Sequence, residues 1–350
     1  MISDFKAAER KFFLGTCITL ASIGSALAQH PEPKSAQVID DPVYTHAQRL
    51  VEIEPGRKLN LYCTGSGSPT VVFDAGLTDE DSVWGFVQPV IAQRTRTCSY
   101  DRAGVGFSDA GWRPSSSENI VDDLHRLLAA ASIKPPYVLV GHSYGGLNVK
   151  LFAYRYPAEV LGMVLVDPSH EDQGNEERRL NPDFDKIVLA TRIVALNDCI
   201  AGARSGFKPD TALYKQCVNP ADPHLSDAIN AAHHALYVQP TFQLAQLTEE
   251  ESLRGHTSVD QVRAARHKLG DMPLIVLTRT SDPRPLAPTE TQQARDAGYR
   301  QWVALHDDIA SLSTRGANRI VPNSGHYIQF DQPQAVNAAI NEVLDALKIN

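Results

Sequence analysis

The sequence lacks the features that mark several large classes of protein. It has only five Cys, three Met and three Trp in 350 residues, and it shows no repeat or low-complexity segment after residue 28. Lys and Arg number 33 against 41 Asp and Glu, with no long basic run, so neither nucleic acid nor anionic lipid is expected as a partner. With 43% hydrophobic residues, the chain can bury one large core or two modest ones.

Metal-binding and membrane-spanning patterns are also missing. The 12 His form no HExxH or similarly spaced cluster, so neither a metal nor another cofactor is predicted. Residues 12–28 form an uncharged run of 17 residues, fewer than the ~20 that a membrane span needs. Basic residues precede this run and Ala-Leu-Ala ends it, a pattern typical of a secretory signal peptide. We therefore expect residues 1–28 to be cleaved from a secreted or periplasmic protein that keeps no stable membrane anchor.

Cysteine usage agrees with export. Four of the five Cys follow residue 28, and an even number in an exported protein suggests two disulfides, for which three sets of pairings are possible. Four small buried thiols are the alternative. Cys17 lies inside the uncharged run rather than at its end, which disfavours lipid attachment there. Residues 29–48, which begin as a polar stretch with Pro, are predicted to form a loose tether.

From Arg49 onward, short apolar runs alternate with longer segments of helical spacing. The runs predict strands at 50–53, 59–63, 70–73, 97–100, 137–140, 160–166, 274–278 and 319–321. This alternation predicts a mostly parallel sheet covered by helices on both faces, with the first two strands antiparallel across a short turn. Ser115 and Glu118 fit a capping box at the start of the helix before the fifth strand.

Residues 168–272 interrupt the alternation. They are helical in pattern and contain no convincing strand, and Ser258 with Gln261 fits a cap for their last helix. Because so long a loop is rare inside a compact domain, we interpret the segment as an inserted helical lid. The lid leaves 49–167 and 273–350 as the core and implies an enclosed substrate pocket.

The sequence YVLVGHSYGG at 137–146 carries the clearest chemical signal. A buried strand runs into Gly-His-Ser-Tyr-Gly and then into a helical pattern, which is the context that a GxSxG nucleophile elbow requires. The glycines permit a strained turn that exposes the Ser hydroxyl at the carboxyl end of the strand. Ser143 is therefore the predicted nucleophile.

A Ser hydroxyl needs a base that takes its proton. His326 lies in a Gly-containing turn just after the last predicted strand, which places its imidazole at the same sheet edge as Ser143. It is therefore the predicted base. His142 is expected to point away from Ser143, and His306 is expected on an exposed helix surface.

The base in turn needs an acid that orients it. In the order nucleophile, acid, His, the carboxylate lies between residues 143 and 326 at a strand end, where Asp282 and Asp167 are the candidates. We predict Asp282 as the acid, because it follows the penultimate strand, and Asp167 as a hinge residue of the lid.

Two backbone N–H groups are the predicted oxyanion donors. Tyr144 begins the helix after the nucleophile, so its N–H lies at the positive end of that helix. Gly76 lets the backbone after the third strand approach the site, which makes the N–H of Leu77 the second donor. Asp101 and Arg102, after the fourth strand, are expected to form a structural turn and an ion pair beside the site.

These motifs resemble those of lidded α/β-hydrolases from about residue 49 to 347. Besides GHSYGG, the chain carries SYDRAGVGFSD at 99–109 and NSGHYIQFDQP at 323–333, which are similar to segments beside the fourth and eighth strands of that superfamily. The resemblance implies an eight-stranded, mostly parallel α/β-hydrolase sheet of order 1-2-4-3-5-6-7-8 with an inserted helical lid. It favours a Cys63–Cys98 disulfide between neighbouring strands, together with Cys199–Cys217. Ala75-Gly76 stands where many relatives carry His-Gly, which leaves a backbone donor in place.

The predicted function is hydrolysis of a small-molecule carboxylic ester through an acyl-enzyme on Ser143. Similar epoxide hydrolases and haloalkane dehalogenases carry a carboxylate where Ser143 stands, so alkyl-enzyme chemistry is not expected. Amide or peptide hydrolysis, as in the similar proline iminopeptidases, and carbon-carbon bond hydrolysis, as in meta-cleavage product hydrolases, would use the same triad and are the alternatives. A non-catalytic binding protein that kept the fold is a further alternative.

Overall fold

The computed structural model of the chain describes residues 37–174, 183–280 and 291–347, apart from the side chains of 184–189. The predicted signal peptide, the first part of the predicted tether and Asp282 lie outside the described residues. Within the described ranges, no helix is both long enough and apolar enough to cross a membrane.

The strands form one sheet. They are Leu50–Glu54 (β1), Arg57–Thr64 (β2), Thr70–Asp74 (β3), Thr97–Tyr100 (β4), Tyr137–His142 (β5), Val160–Val166 (β6), Leu274–Thr278 (β7) and Gly316–Ile320 (β8). Their order is β1-β2-β4-β3-β5-β6-β7-β8; β2 is antiparallel to β1 and β4, and the other pairs are parallel. The predicted fold class and strand order are confirmed. β8 begins three residues before the predicted run at 319–321, because an edge strand that is only half-buried needs no apolar run.

Helices cover both faces of this sheet. They are Gln88–Ile91 (α1), Ser117–Ala130 (α2), Tyr144–Arg155 (α3), Phe184–Ser205 (α4), Ala212–Cys217 (α5), Asp227–Tyr237 (α6), Pro240–Arg254 (α7), Thr257–Ala265 (α8), Gln292–Ala310 (α9), Ile328–Asp331 (α10) and Pro333–Ala346 (α11), with short 3-10 helices at Pro42–Thr45, Asp81–Trp84 and Pro157–Glu159. The apolar side chains of α2, α3 and α8 pack on one face, and those of α1 and α11 pack on the other. Two apolar layers therefore enclose the sheet, as the strand and helix patterns predict.

The segment between β6 and β7 is helical. Within it, α4 packs against α7, and α8 packs against α2 and α3. Val259 and Val262 of α8 are buried in the same cluster as the core helices. The last helix of the predicted lid thus belongs to a layer beside the sheet, and Ile229 of α6 and Leu253 of α7 are also buried in the two core clusters.

Side chains of α8 cap α2 instead of their own helix. The hydroxyl of Ser258 accepts a hydrogen bond from the N–H of Ser117 at 2.9 Å, and Oε1 of Gln261 accepts one from the N–H of Glu118 at 2.9 Å. The N-cap residue of α2 is Ser116, which makes no side-chain cap hydrogen bond. Both predicted capping boxes are therefore wrong, because the packing of α8 on α2 supplies the acceptors from a distant part of the chain.

Residues 38–48, which the sequence assigns to a loose tether, are packed. The N–H of Ile39 donates to the carbonyl of His224 at 2.8 Å, and its own carbonyl accepts from the N–H of Ser226 at 2.9 Å. Tyr44 is buried, with its ring centroid 5.8 Å from that of Tyr62. The prediction is corrected for this stretch, because two apolar side chains and a β-bridge attach it to the fold.

Both predicted disulfides are confirmed. Cys63 and Cys98 occupy paired positions of β2 and β4, with their Cα atoms 4.1 Å apart. Cys199 in the second half of α4 is bonded to Cys217 at the end of α5, with their Cα atoms 5.3 Å apart. One disulfide therefore links two strands of the sheet, and the other links two helices of the predicted lid.

Candidate active site

Ser143 occupies a strained turn between β5 and α3. Its φ of 51° and ψ of -116° lie in a region that non-glycine residues rarely adopt. Hydrogen bonds hold it there, since its N–H donates to the carbonyl of Val166 and its carbonyl accepts from the N–H groups of Gly146 and Ser169. This turn has the geometry of the nucleophile elbow that the sequence predicts, and it places the hydroxyl at the carboxyl end of β5.

Gly145 allows the elbow to touch the loop after β3. A Cβ atom at this position would overlap the backbone carbonyls of Asp74 and Ala75. Only glycine can bring the first turn of α3 so close to that loop. The loop carries Leu77, so this contact brings the two predicted oxyanion donors to one place.

Ser143, His326 and Asp167 form a continuous hydrogen-bonded chain. The Ser143 hydroxyl lies 3.0 Å from Nε2 of His326, and Nδ1 of His326 lies 2.6 Å from Oδ2 of Asp167. The imidazole is partly exposed, whereas the carboxylate is fully buried. This geometry lets the hydroxyl donate to Nε2 while Nδ1 donates to the carboxylate, as nucleophilic catalysis by a serine requires.

The carboxylate in contact with His326 is Asp167, whereas Asp282 is the acid predicted from the sequence. Asp282 lies outside the described residues. Asp167 directly follows β6, which neighbours β5 in the sheet, and its φ of 41° turns it toward the site. The partner of His326 is therefore corrected to Asp167, because the carboxyl end of β6 lies beside the nucleophile just as the end of β7 does.

Asp167 receives hydrogen bonds from two further residues. Nε1 of Trp302 donates to Oδ1 at 2.8 Å, the N–H of Arg279 donates to Oδ1 at 3.2 Å, and Nη1 of Arg279 donates to Oδ2. Burial favours a raised pKa for Asp167, but the hydrogen bond from His326 and the charge of Arg279 outweigh it and hold the pKa well below its usual value. The carboxylate therefore stays ionised.

Arg279 and Trp302 were not predicted from the sequence. The guanidinium of Arg279 lies over the indole ring of Trp302, 4.8 Å from its centroid. Arg279 directly follows β7, and this position at a strand end was the available signal. Trp302 lies within α9, where nothing in the sequence distinguishes it from a packing residue.

The predicted oxyanion donors flank the nucleophile. Tyr144 is the first residue of α3, so its N–H has no acceptor within the helix, and Leu77 lines the same cleft as Ser143. An ion pair of Arg102 with Asp101 is expected beside the site, but the Asp101 carboxylate accepts hydrogen bonds from the N–H groups of Asp81 and Phe107. Arg102 instead pairs with Oδ1 of Asp74 at 2.8 Å and with Oε1 of Glu249 at 2.7 Å. These contacts lie directly behind the loop that carries Leu77.

Two other His residues, His142 and His306, are buried beside the site. His142 is buried, and its Nε2 lies 3.0 Å from the carbonyl of His326; burial lowers its pKa, which favours the neutral form. The prediction that His306 is exposed is wrong. It is fully buried, with Nδ1 2.6 Å from the hydroxyl of Thr278 and Nε2 3.0 Å from the carbonyl of Pro168, and burial lowers its pKa to about 4.

An open cleft of about 980 Å³ leads to Ser143. One wall comes from α9, a second from the C-terminal end of α7, and a third from the loop after β3. The side chains that line it include Leu77, Asp79, Leu253, Arg254, Arg279, Tyr299, Trp302, Leu305 and Tyr327. The cleft offers both apolar surface and arginine side chains to a small molecule.

Comparisons with known proteins identify the fold. The profile of the Alpha/beta hydrolase family matches residues 71–339. The uncharacterized protein YqjL of Bacillus subtilis (strain 168) is 27% identical over 279 residues, which cover 80% of this chain and 85% of that protein. The solved structure of the enol-lactonase from Burkholderia xenovorans LB400 has a TM-score of 0.56 at 16% identity, covering 84% of this chain and 99% of that one. The epoxide hydrolase CorEH has a TM-score of 0.55 at 19% identity, covering 86% and 99%.

Proposed function

The chain belongs to the alpha/beta hydrolase family, and on that premise we propose that it is a serine hydrolase that cleaves carboxylic esters of small molecules. The observation that carries the proposal is the hydrogen-bonded chain from Ser143 through His326 to the buried carboxylate of Asp167. A hydroxyl, an imidazole and a carboxylate in this order are the groups that acyl transfer to water requires.

In the proposed reaction, His326 takes the proton of the Ser143 hydroxyl as its oxygen attacks the ester carbonyl carbon. The N–H groups of Leu77 and Tyr144 donate to the oxyanion of the tetrahedral intermediate. His326 then gives the proton to the leaving alcohol, and the acyl-enzyme forms. Water attacks the acyl carbon with His326 as base, and collapse of the second intermediate returns the proton to Ser143. Asp167 stays ionised and holds the imidazole in the required tautomer.

The nucleophile favours acyl chemistry over epoxide opening. An epoxide hydrolase and an enol-lactonase both share this fold at low identity, so the fold alone does not choose between them. A serine hydroxyl at position 143 gives an ester intermediate with an acyl group, and a lactone is a cyclic ester that the same steps would open. Lactones therefore belong in the substrate panel.

We also propose a secreted or periplasmic location. The two disulfides support it, because disulfides persist in oxidising compartments and are rare in the cytosol. Fractionation of cells that express the full chain, followed by thiol titration of the recovered protein, tests this location. A protein recovered from the cytosol with Cys63, Cys98, Cys199 and Cys217 all present as free thiols would contradict it.

The function is tested with a fluorophosphonate probe and a substrate panel. The panel holds p-nitrophenyl esters from acetate to palmitate, simple lactones and a proline anilide, and the variants are Ser143→Ala and Ser169→Ala. Ser169 lines the same cleft but makes no contact with His326 among the described residues, so it controls for a nonspecific serine. We expect wild type and Ser169→Ala to be labelled and to hydrolyse esters, and Ser143→Ala to do neither.

Two other outcomes separate the alternatives. Folded wild type that the probe does not label would contradict any serine hydrolase and favour a binding protein. Protein that is labelled at Ser143 but inert on every ester and lactone would contradict the ester substrate and favour amide or carbon-carbon bond cleavage by the same groups.

A further inference from the structure

A buried ion network joins the lid helix α7 to the loop that follows β3. Glu249 of α7 is fully buried and accepts a hydrogen bond at Oε1 from Nε of Arg102 at 2.7 Å. Arg102 is also buried, and its Nη1 donates to Asp74 at the end of β3 at 2.8 Å. The proposed reaction steps use none of these three charges. Such a network is a weak source of stability, because removing the charges from water offsets their attraction, so its geometry is the more informative property.

The guanidinium of Arg102 donates a hydrogen bond to the peptide group that carries the Leu77 N–H. Nη1 donates to the carbonyl of Ala75 at 2.8 Å, and Nη2 donates to the carbonyl of Gly76. The carbonyl of Gly76 and the N–H of Leu77 belong to one trans peptide, so they point in opposite directions. Because Arg102 fixes the direction of the Gly76 carbonyl, the Leu77 N–H must point away from Arg102. Leu77 lines the cleft of Ser143, so that side faces the reaction.

Glu249 holds the next residue in an unusual conformation. Its Oε2 accepts a hydrogen bond from the N–H of Thr78 at 2.6 Å. Thr78 has a φ of 59°, which is rare and costly for a β-branched residue. The N–H of Asp79 donates to the carbonyl of Gly76 at 3.2 Å and closes the turn. Hydrogen bonds therefore hold the backbone on both sides of Leu77: Arg102 binds the carbonyl of Gly76, and Glu249 binds the N–H of Thr78.

We propose that Arg102 and Glu249 are positioning residues that aim the Leu77 N–H at the oxyanion. Because Glu249 belongs to α7, the lid helix contributes to the oxyanion hole without touching the substrate through this residue. A hydrogen bond to the Gly76 carbonyl also polarises the peptide, which makes the Leu77 N–H a stronger donor. This inference rests on the proposed function, because it concerns the oxyanion of that reaction.

The test uses Arg102→Lys and Glu249→Gln, with Arg57→Lys as the matched control. Arg57 is another buried arginine held by two carboxylates, those of Asp123 and Glu54, but it does not line the cleft of Ser143. We measure kcat and KM on p-nitrophenyl butyrate and the inhibition constant of a trifluoromethyl ketone, which forms a tetrahedral adduct with serine. All rates are normalised to the sites labelled by a fluorophosphonate taken to completion, and melting curves report folding.

Loss of one oxyanion donor typically lowers kcat by about 10²–10³, so a misaimed donor is expected to lower it by at least about tenfold. We expect both variants to show this loss with KM changed less than about threefold, and the inhibition constant to rise in parallel with the loss in kcat. Arg57→Lys is expected to keep wild-type values per labelled site. A purely structural role would lower the melting temperature and the number of labelled sites without changing kcat per site.

The outcomes distinguish a failure of the positioning role from a failure of the proposed function. If the wild type shows Ser143-dependent hydrolysis while both variants keep wild-type kcat and inhibition constants per site, the positioning role is overturned and the proposed function stands. If the wild type itself is neither labelled nor active, the proposed function fails. Should Arg102→Lys not fold, Glu249→Gln carries the test, because it keeps the side-chain volume and leaves Arg102 bound to Asp74.

Discussion

Oδ2 of Asp167 lies 2.6 Å from Nδ1 of His326, and the same carboxylate accepts hydrogen bonds from Arg279 and Trp302. The donors come from three separate parts of the chain: His326 follows β8, Arg279 follows β7, and Trp302 lies in α9. A buried carboxylate with this many donors cannot turn away from the imidazole without leaving several of them unsatisfied. The end of β6 is therefore a rigid support for the base.

The first prediction concerns the acid. Asp167→Asn keeps the shape of the side chain but removes the charge that stabilises the imidazolium, so we expect kcat to fall by about 10³–10⁴ with little change in KM. Asp282→Asn, at the position predicted from the sequence, is expected to lower kcat by less than about tenfold. Steady-state kinetics on the best p-nitrophenyl ester measures both. The reverse ranking of the two variants would return the acid role to Asp282.

The second prediction concerns pH. Arg279 places a positive charge against Asp167, which helps to hold the pKa of that carboxylate well below its usual value. In Arg279→Met, the pKa of Asp167 rises, because the positive charge that opposes the effect of burial is lost and the acid can be protonated more easily. Activity should then be lost at a higher pH, with the acidic limb of kcat/KM moved up by roughly 0.5 to 1 pH unit.

Arg254→Met is the control for this shift. Arg254 lines the same cleft, but it is paired with Glu250 and not with Asp167. Its removal changes the charge of the cleft without changing the environment of the carboxylate, so its acidic limb should stay within about 0.2 pH unit of the wild type. Equal shifts in both variants would mean that the general charge of the cleft, and not the contact with Asp167, determines the pH of the acidic limb.

The sequence was informative where the chemistry is local. The elbow at 137–146 is a strand, a strained turn and a helix in direct succession, so one short motif contains both the proposed nucleophile Ser143 and the reason for its conformation. The strands of the sheet centre are buried on both faces and therefore appear as continuous apolar runs. The Cys63–Cys98 pair followed from the strand order that the family resemblance implied.

The sequence was less informative where residues meet across the fold. Ser258 and Gln261 have a capping pattern for their own helix, yet they cap α2, because tertiary packing places them at another helix end. Asp167 and Asp282 both follow strands, and only the three-dimensional structure places one carboxylate on His326. Trp302 is a further example, because its hydrogen bond to Asp167 depends on which face of α9 is turned toward the end of β6.

The third prediction concerns the disulfides. The Cys63–Cys98 bond closes a loop of 35 residues and the Cys199–Cys217 bond one of 18. In the loop-entropy model these bonds destabilise the unfolded state by about 4 and about 3 kcal/mol respectively. Cys63→Ala/Cys98→Ala is therefore expected to lower the free energy of unfolding somewhat more than Cys199→Ala/Cys217→Ala does. Urea titration at equal protein concentration measures both, and a loss below about 1 kcal/mol for either pair would contradict the model.

The last prediction concerns stability as a function of pH. Glu80 is buried, its Oε1 has no hydrogen-bond partner within the described residues, and Tyr237 donates to Oε2 at 3.3 Å. Burial and the nearby charges of Asp101 and Asp79 raise the pKa of Glu80 well above its usual value. A group whose pKa is raised in the folded state binds its proton more tightly there, so its contribution to stability is complete at low pH. That contribution is lost as the pH rises through the raised pKa.

Glu80→Gln mimics the protonated side chain at every pH. We expect it to be close to the wild type in stability near pH 5 and increasingly more stable than the wild type as the pH rises to 8. Glu80 of the wild type gives up its proton more readily in the unfolded state than in the folded state, whereas Gln has no proton to release. Glu342→Gln is the opposite control: Glu342 is largely exposed and paired with Arg319, which lowers its pKa, so its substitution should give no gain at high pH. Urea unfolding at pH 5, 6, 7 and 8 measures both. A constant stability difference between Glu80→Gln and wild type across this range would mean that Glu80 is ionised in the folded protein throughout.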